Sequence, residues 1–88
     1  MLCGGWSKFR ALEPEDAKLF KEIVTLQGVE YEPFAVAAQL VAGTNYKFLC
    51  NATSVTRPPR DFLAVVTIFV PLEKTEPAAI THIAELNA

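Results

Sequence analysis

The spacing of apolar residues indicates a helix in the first third of the chain. The apolar stripe consists of Leu19, Phe20, Ile23 and Val24. These residues recur at the helical period over residues 13–27, with charged residues on the other sides. Pro14 suits a first helical position, Glu15 and Asp16 suit the positive N-terminal end, and Gly28 suits a C-terminal cap. The pattern therefore predicts one amphipathic helix over about residues 13–27.

After Gly28 the apolar residues alternate with period two, which is typical of half-buried strands. The alternating sets are Phe34, Val36, Ala38 and Leu40, then Tyr46, Phe48 and Cys50, then Phe62, Ala64, Val66, Ile68 and Val70, and last Ile80, His82, Ala84 and Leu86 opposite Ala79, Thr81, Ile83 and Glu85. The connections between them are predicted at Ala42 and Gly43, over residues 52–60, and over residues 72–77.

One helix followed by hairpin-connected strands predicts an α+β fold. We expect the helix to pack across a four- to five-stranded antiparallel sheet, since such a sheet needs cover on one face only. The chain has 88 residues, enough for one hydrophobic core, so residues 1–88 are predicted to form a single domain.

Composition narrows the classes of partner. A hydrophobic fraction of 51% with 20% charged residues excludes a disordered chain, and no apolar run approaches the ~18 residues that span a bilayer. The net charge is −2 and no cluster of Lys and Arg is present. We therefore expect neither a membrane nor a nucleic acid as partner.

Cysteine and histidine are too sparse for a catalytic or metal site. Cys3 lies in a terminal segment where nothing lowers its pKa, and Cys50 alternates with Phe48 as a small core residue. The single His82 cannot complete a zinc site. The acidic residues that open the helix are explained by its N-terminal dipole. The sequence therefore predicts no enzyme, no metal and no cofactor.

Three segments together resemble the cystatin family. Residues 39–43 read Gln-Leu-Val-Ala-Gly, an unusually apolar hairpin tip, and Thr-Asn-Tyr follows. This resembles the Gln-x-Val-x-Gly first binding loop of cystatins. Gly4 and Gly5 resemble the glycine trunk of the family, and Val-Pro-Leu at residues 70–72 resembles its second hairpin loop. Leu72 stands where many members have His or Trp.

The resemblance implies a stefin-like, cytoplasmic inhibitor of papain-like, cathepsin-like cysteine proteases. Such an inhibitor binds reversibly, tightly and competitively, as a wedge made of a trunk at residues 1–6, a first loop at 39–43 and a second loop at 70–73. The residues that the resemblance assigns to protease binding are Gly4, Gly5, Gln39, Leu40, Val41, Ala42, Gly43, Pro71 and Leu72.

Several alternatives stay open on the sequence alone. The apolar tip could tuck under a neighbouring loop, and the two glycines could belong to a frayed terminus. Trp6 could anchor an interface or, with Phe9, close the core. The domain could be a non-inhibitory interaction module. It is expected to be a monomer, with a domain-swapped dimer as the alternative if Val41 is strained.

Overall fold

The computed structural model describes residues 4–86, and all structural statements below concern that range. It contains a helix α1 (Pro14–Ile23) and the strands β1 (Val29–Val41), β2 (Gly43–Ser54), β3 (Asp61–Pro71) and β4 (Ala79–Leu86). The strands form one antiparallel sheet in the order β1-β2-β3-β4, with α1 against one face. The predicted α+β architecture is confirmed.

The start of α1 agrees with the prediction. Pro14 occupies the first helical position, where its missing N–H costs nothing. Glu13 is the N-cap residue, and its backbone N–H donates to the Asp16 carboxylate at 2.8 Å. Asp16 therefore satisfies a backbone donor at the helix start, which supports the structural interpretation of the acidic residues there.

The predicted end of the helix is wrong. α1 stops at Ile23, and the N–H of Val24 closes its last turn by donating to the Phe20 carbonyl at 2.8 Å. Gly28, predicted as the helix C-cap, has φ of +92° and lies immediately before β1. Val24 packs against the core from outside the helix, so the apolar spacing continued beyond the true helix end.

The core lies between α1 and the inner face of the sheet. Its buried members are Phe20, Val36, Phe48, Cys50, Val66 and Ile68. The Phe20 and Phe48 rings meet edge-on with centroids 5.0 Å apart, a favoured aromatic geometry. Burial raises the pKa of the Cys50 thiol to about 12, so Cys50 is the inert core residue that its alternation predicted.

The prediction that Phe34 shares a face with Val36 is wrong. The pairing of β1 with β2 shifts between Pro33 and Ala35, so Phe34 is the extra residue of a β-bulge. Val36 is completely buried, whereas Phe34 is 47% exposed. A bulge inserts one residue into a strand and thereby breaks the period-two alternation.

The alternation predicted for β4 is also wrong in part. Its pairing with β3 shifts between Thr67 and Ile68, whose partners are His82 and Ile80. As a result, Ile80 and Ile83 both pack against the core, although the prediction placed them on opposite faces.

The connection between β2 and β3 is shorter than predicted. β2 continues to Ser54, so the loop covers residues 55–60 instead of 52–60. Ala52 is buried and pairs with Tyr31 on one side and Phe62 on the other. The small apolar side chain of Ala52 therefore belongs to the sheet.

Candidate functional site: the loop edge

The segment before the helix runs antiparallel along the outer edge of β1. It is held at three points: Arg10 N–H to the Val36 carbonyl and Val36 N–H to the Arg10 carbonyl, both 2.9 Å, Ser7 N–H to the Ala38 carbonyl at 2.8 Å, and Gly4 N–H to the Leu40 carbonyl at 3.3 Å. This segment is not a fifth strand, because Arg10 and Val36 make an isolated bridge. Its course brings Gly4 to the start of the first hairpin tip.

The tip joins β1 and β2 through Ala42, with Val41 paired to Gly43. Gly43 has φ of +118°, a conformation that favours glycine. The Gln39 Oε1 atom accepts a hydrogen bond from Asn45 Nδ2 at 3.1 Å, which links the two strands at the loop base. The domain-swapped alternative depends on strain at Val41, and of the forms such strain can take, a positive φ is not present there.

Gly43 also holds the first loop against the second. It is the register partner of Pro71 at the end of β3. A Cβ at Gly43 would lie 2.6 Å from the Val70 carbonyl oxygen and 2.8 Å from the Phe69 ring. The missing Cβ of Gly43 thus admits the close approach of another main chain, which within this protein is the end of β3.

Contacts along the sheet end thus bring all three predicted segments together. Gly4 lies beside Leu40, and Gly43 lies beside Pro71. We call this surface the loop edge and define it as Gly4 and Gly5 with residues 39–43 and 70–73.

The apolar side chains at the loop edge face outward. Leu40 is 67% exposed and Leu72 is 76% exposed, while Ala42 is also exposed. The alternative that the tip tucks under a neighbouring loop therefore fails for Leu40 and Ala42. Val41 and Pro71 are partly buried, so they support the turns as well as lining the edge.

The two trunk glycines are uncrowded within the protein. A Cβ at Gly4 would have its closest contact at 3.9 Å, to the Leu40 carbonyl oxygen, and one at Gly5 would meet nothing within 4 Å. Neither has a positive φ. The fold itself therefore does not require glycine at these positions. Residues 1–3 of the predicted trunk, including Cys3, lie outside the described residues.

Trp6 contacts a residue that sequence reasoning missed. The Lys47 ammonium lies 4.0 Å from the centroid of the Trp6 ring. Trp6 is not a member of the core cluster, so the proposal that it closes the core is not supported, and Phe9 is 45% exposed. No sequence signal links Trp6 to Lys47, because the pair depends on the course of the N-terminal segment along β1.

An ion pair anchors the base of this N-terminal segment to the helix. Arg10 Nη1 lies 2.6 Å from Asp16 Oδ2, and Arg10 Nη2 lies 3.3 Å from Asp16 Oδ1. The hydrogen bond from Arg10 holds the pKa of the Asp16 carboxyl below its ordinary value, against the opposing effect of burial. The pair fixes the segment where it enters the helix.

One surface groove lies at the end of the sheet opposite to the loop edge. It has a volume of about 460 Å³, and its lining includes Glu32, Asn51, Thr53, Asp61 and Leu63. A groove of about 330 Å³ lies at the loop edge, between the N-terminal segment and the end of β1. We base the site on the smaller groove, because it adjoins the three segments that the sequence singled out.

Residues 4–86 present neither a grouping of metal-ligating side chains nor a membrane-spanning helix. That range contains no group of three His, Cys, Asp or Glu residues arranged to hold a metal ion. No helix within it is both long and apolar enough to cross a membrane.

Comparisons of this chain with protein-family models, curated proteins and solved structures return no match. Any family assignment must therefore be argued from the residues and geometry described above.

Proposed function

We propose that this protein is a stefin-like member of the cystatin family that inhibits papain-like cysteine proteases. Inhibition is reversible, tight and competitive, and the loop edge is the surface that enters the active-site cleft. The proposed partners are cathepsin-like proteases in the cytoplasm, bound by the monomer. The protein acts on them by binding alone and is not itself an enzyme.

The observation that carries the proposal is the alignment of the three segments along one sheet end. The hydrogen bond from Gly4 to Leu40 and the pairing of Gly43 with Pro71 connect them through the backbone. Each segment alone has an ordinary structural explanation. Their adjacency supports a common function, because the segments at residues 4–5, 39–43 and 70–73 are far apart in sequence.

Exposed leucines supply the binding energy in this proposal. Burying apolar surface yields roughly 25 cal/mol per Å², so Leu40 and Leu72 favour an apolar cleft over water. Leu40 lies at the end of β1 and Leu72 directly follows β3, so the sheet holds both, and little conformational freedom is lost when such loops dock. More of the contact energy therefore appears as affinity.

The open space around Gly4 and Gly5 supports close approach of a second protein there. Since the fold leaves room for a Cβ at both positions, the glycines are explained by an external contact better than by internal packing. Gly43 differs, because its missing Cβ is required within the protein.

The proposed mechanism is occlusion of the active site. A papain-like thiolate attacks a carbonyl carbon that is held in line at roughly 3 to 3.5 Å. In the proposed complex the trunk lies on one side of the thiolate and the two hairpin loops on the other. No peptide bond of the inhibitor is then presented for cleavage.

The experiment is a titration of the purified monomer against papain and a cathepsin, with substrate cleavage followed at several substrate concentrations. We expect apparent inhibition to weaken as substrate rises, at nanomolar or tighter affinity, and mass spectrometry to recover the inhibitor intact. Cleavage of the protein at the loop edge would make it a substrate. A folded monomer that does not inhibit would favour a non-inhibitory interaction module instead.

A further inference from the structure

We propose that Trp6 is a positioning residue, held by Lys47, that fixes Gly4 and Gly5 beside the first hairpin tip before any protease binds. The inference rests on the proposed function and extends it to a residue outside the three matching segments. Trp6 directly follows the glycine pair, so holding its ring restricts the space that the glycines can reach.

The first observation is the stacking geometry. The Lys47 ammonium sits 4.0 Å from the Trp6 ring centroid, well within the range of a cation–π interaction. Trp6 is partly buried although it does not belong to the core cluster. The ring is thus held against the side chain of a sheet residue at the surface.

The second observation is the pair of hydrogen bonds next to Trp6. Ser7 N–H donates to the Ala38 carbonyl at 2.8 Å, and Ala38 N–H donates to Ser7 Oγ at 2.9 Å. These bonds hold the backbone on one side of Trp6. The contact between the Trp6 ring and Lys47 holds Trp6 itself. Gly4 and Gly5 extend from Trp6 toward the N-terminus.

The third observation is the weakness of what holds the glycines themselves. Gly4 makes one backbone hydrogen bond, to the Leu40 carbonyl at 3.3 Å, and Gly5 has open space around it. Without the Trp6 stack, these two residues would depend on that single long bond. A groove lined by Gly4, Gly5, Trp6, Ser7, Ala38 and Leu40 lies along this path.

Holding the glycines in place before binding raises the affinity for the protease, because the trunk then loses less conformational freedom when it binds. The loss of a cation–π contact at a partly exposed site corresponds to about a two- to fivefold change in an equilibrium or rate constant. We expect this two- to fivefold change to appear in the dissociation rate constant, since the affinities of related complexes differ mainly through that constant.

The protease-free test uses Trp6 fluorescence, which is specific because the chain has a single tryptophan. Lys47→Met keeps an unbranched side chain and removes the charge. We expect acrylamide to quench Trp6 more strongly in Lys47→Met, toward the value in urea, with an unchanged urea unfolding midpoint. Lys18→Met removes the same charge from an exposed helix position and should leave quenching unchanged.

The kinetic test compares two backgrounds, the full chain and a chain from which residues 1–5 are deleted. In the full chain, Lys47→Met and Trp6→Ala should each accelerate dissociation from papain about two- to fivefold. In the shortened chain, Lys47→Met should have no further effect, because there is no trunk left to position. A purely structural role would give the same acceleration in both.

Each outcome bears on a distinct claim. Unchanged quenching in Lys47→Met, or equal acceleration in the two backgrounds, would overturn the positioning role. If Trp6→Ala accelerates dissociation from papain and Lys47→Met does not, Trp6 is a direct protease contact instead. If the wild-type monomer does not inhibit, the proposed function fails, and the role of Trp6 in inhibition fails with it, whereas the fluorescence result still decides whether Lys47 holds the ring.

Discussion

The two ends of the sheet are closed in different ways. At the end formed by residues 53–61, which we call the polar end, Ser54 Oγ accepts a hydrogen bond from Arg60 N–H at 2.9 Å. The Arg60 guanidinium pairs with both Glu85 carboxylate oxygens at 2.6 and 3.2 Å. Thr53 Oγ1 donates to Asp61 Oδ1 at 2.9 Å. These polar side chains connect β2, β3 and β4.

The loop edge shows the opposite arrangement. Its polar side-chain pair is Gln39 with Asn45, and its exposed large apolar side chains are Leu40 and Leu72. The polar end stabilises a loop, whereas the loop edge presents the apolar side chains of Leu40 and Leu72 to solvent. A clustered apolar surface of this kind is typical of an interaction site.

Exposure alone does not distinguish the two ends. Val55 at the polar end is 63% exposed, close to the 67% of Leu40. Isolated apolar residues at a protein surface are common and carry no functional meaning. The loop edge differs because Leu40 and Leu72 lie among segments joined by backbone contacts, so Val55 serves as a natural control.

The largest expected effect follows from the crowding at Gly43. Gly43→Glu and Gly28→Glu both add one charge at a positive φ, and each should lose about 1 to 3 kcal/mol for that strain. Gly43→Glu should lose more, because its Cβ would lie 2.6 Å from the Val70 carbonyl oxygen, while Gly28 has open space. Urea unfolding measures both.

Inhibition should separate the same two variants further. Folded Gly43→Glu should inhibit papain at least tenfold more weakly, equivalent to about 1.4 kcal/mol, and Gly28→Glu should inhibit normally. If Gly43→Glu and Gly28→Glu lose the same free energy of unfolding, the crowding at Gly43 is contradicted. If the two variants inhibit papain equally, the first loop has no part in the mechanism.

The next effect concerns the exposed leucines. Leu40→Ser and Leu72→Ser should each weaken inhibition roughly ten- to a hundredfold, since burying a leucine contributes about 1.5 to 3 kcal/mol. Val55→Ser, at the polar end, should inhibit like the wild type. If Leu40→Ser, Leu72→Ser and Val55→Ser inhibit equally, the two ends of the sheet do not differ in protease binding.

A smaller effect on stability is expected at the ion pair that anchors the N-terminal segment. The pKa of Asp16 is lowered, so its contribution is fully present above its ordinary pKa of 3.8 and is lost as the pH falls through the lowered value. Asp16→Asn should cost about 1 kcal/mol at neutral pH.

Urea unfolding between pH 7 and pH 2 measures this effect. The wild type should lose stability below about pH 4, and Asp16→Asn should lose less over that window. Glu15→Gln, at an exposed position in the same helical turn, is the control. A wild-type acid dependence that persists unchanged in Asp16→Asn would contradict the role of the pair.

The smallest effect is expected at the polar end. The Arg60 side chain is 58% exposed and that of Glu85 is 39% exposed, so solvent screens their attraction. Glu85→Gln should therefore shift the unfolding midpoint only slightly and leave inhibition unchanged. A loss of inhibition in Glu85→Gln would place part of the binding surface at the polar end.

The sequence predicted the features that depend on local pattern. The strand alternation, the turn before Gly43 and the start of α1 at Pro14 were all recognisable from neighbouring residues. The three segments could also be named individually. Their adjacency required the register between β2 and β3, which pairs Gly43 with Pro71 and is not encoded in either segment alone.

The errors arose where local pattern is ambiguous. Val24 packs on the core beyond the end of α1, so apolar spacing overestimated the helix. The bulge at Phe34 directly follows Pro33, a residue type that is confined in sheets to edge strands and bulges, so this break in the alternation did carry a sequence signal. The shift in β4 breaks the alternation with no Gly or Pro beside it. The stack of Trp6 on Lys47 depends on tertiary structure and has no counterpart in the sequence pattern.

The most direct test of the account is an NMR titration of the ¹⁵N-labelled protein with papain. We expect amide signals to change first and most at Gly4 and Gly5 and at the non-proline residues of 39–43 and 70–73, while those of the non-proline residues of 54–60 at the polar end change little. Changes centred on the polar end or the outer face of the sheet, or no changes at all, would contradict the claim that the loop edge binds the protease.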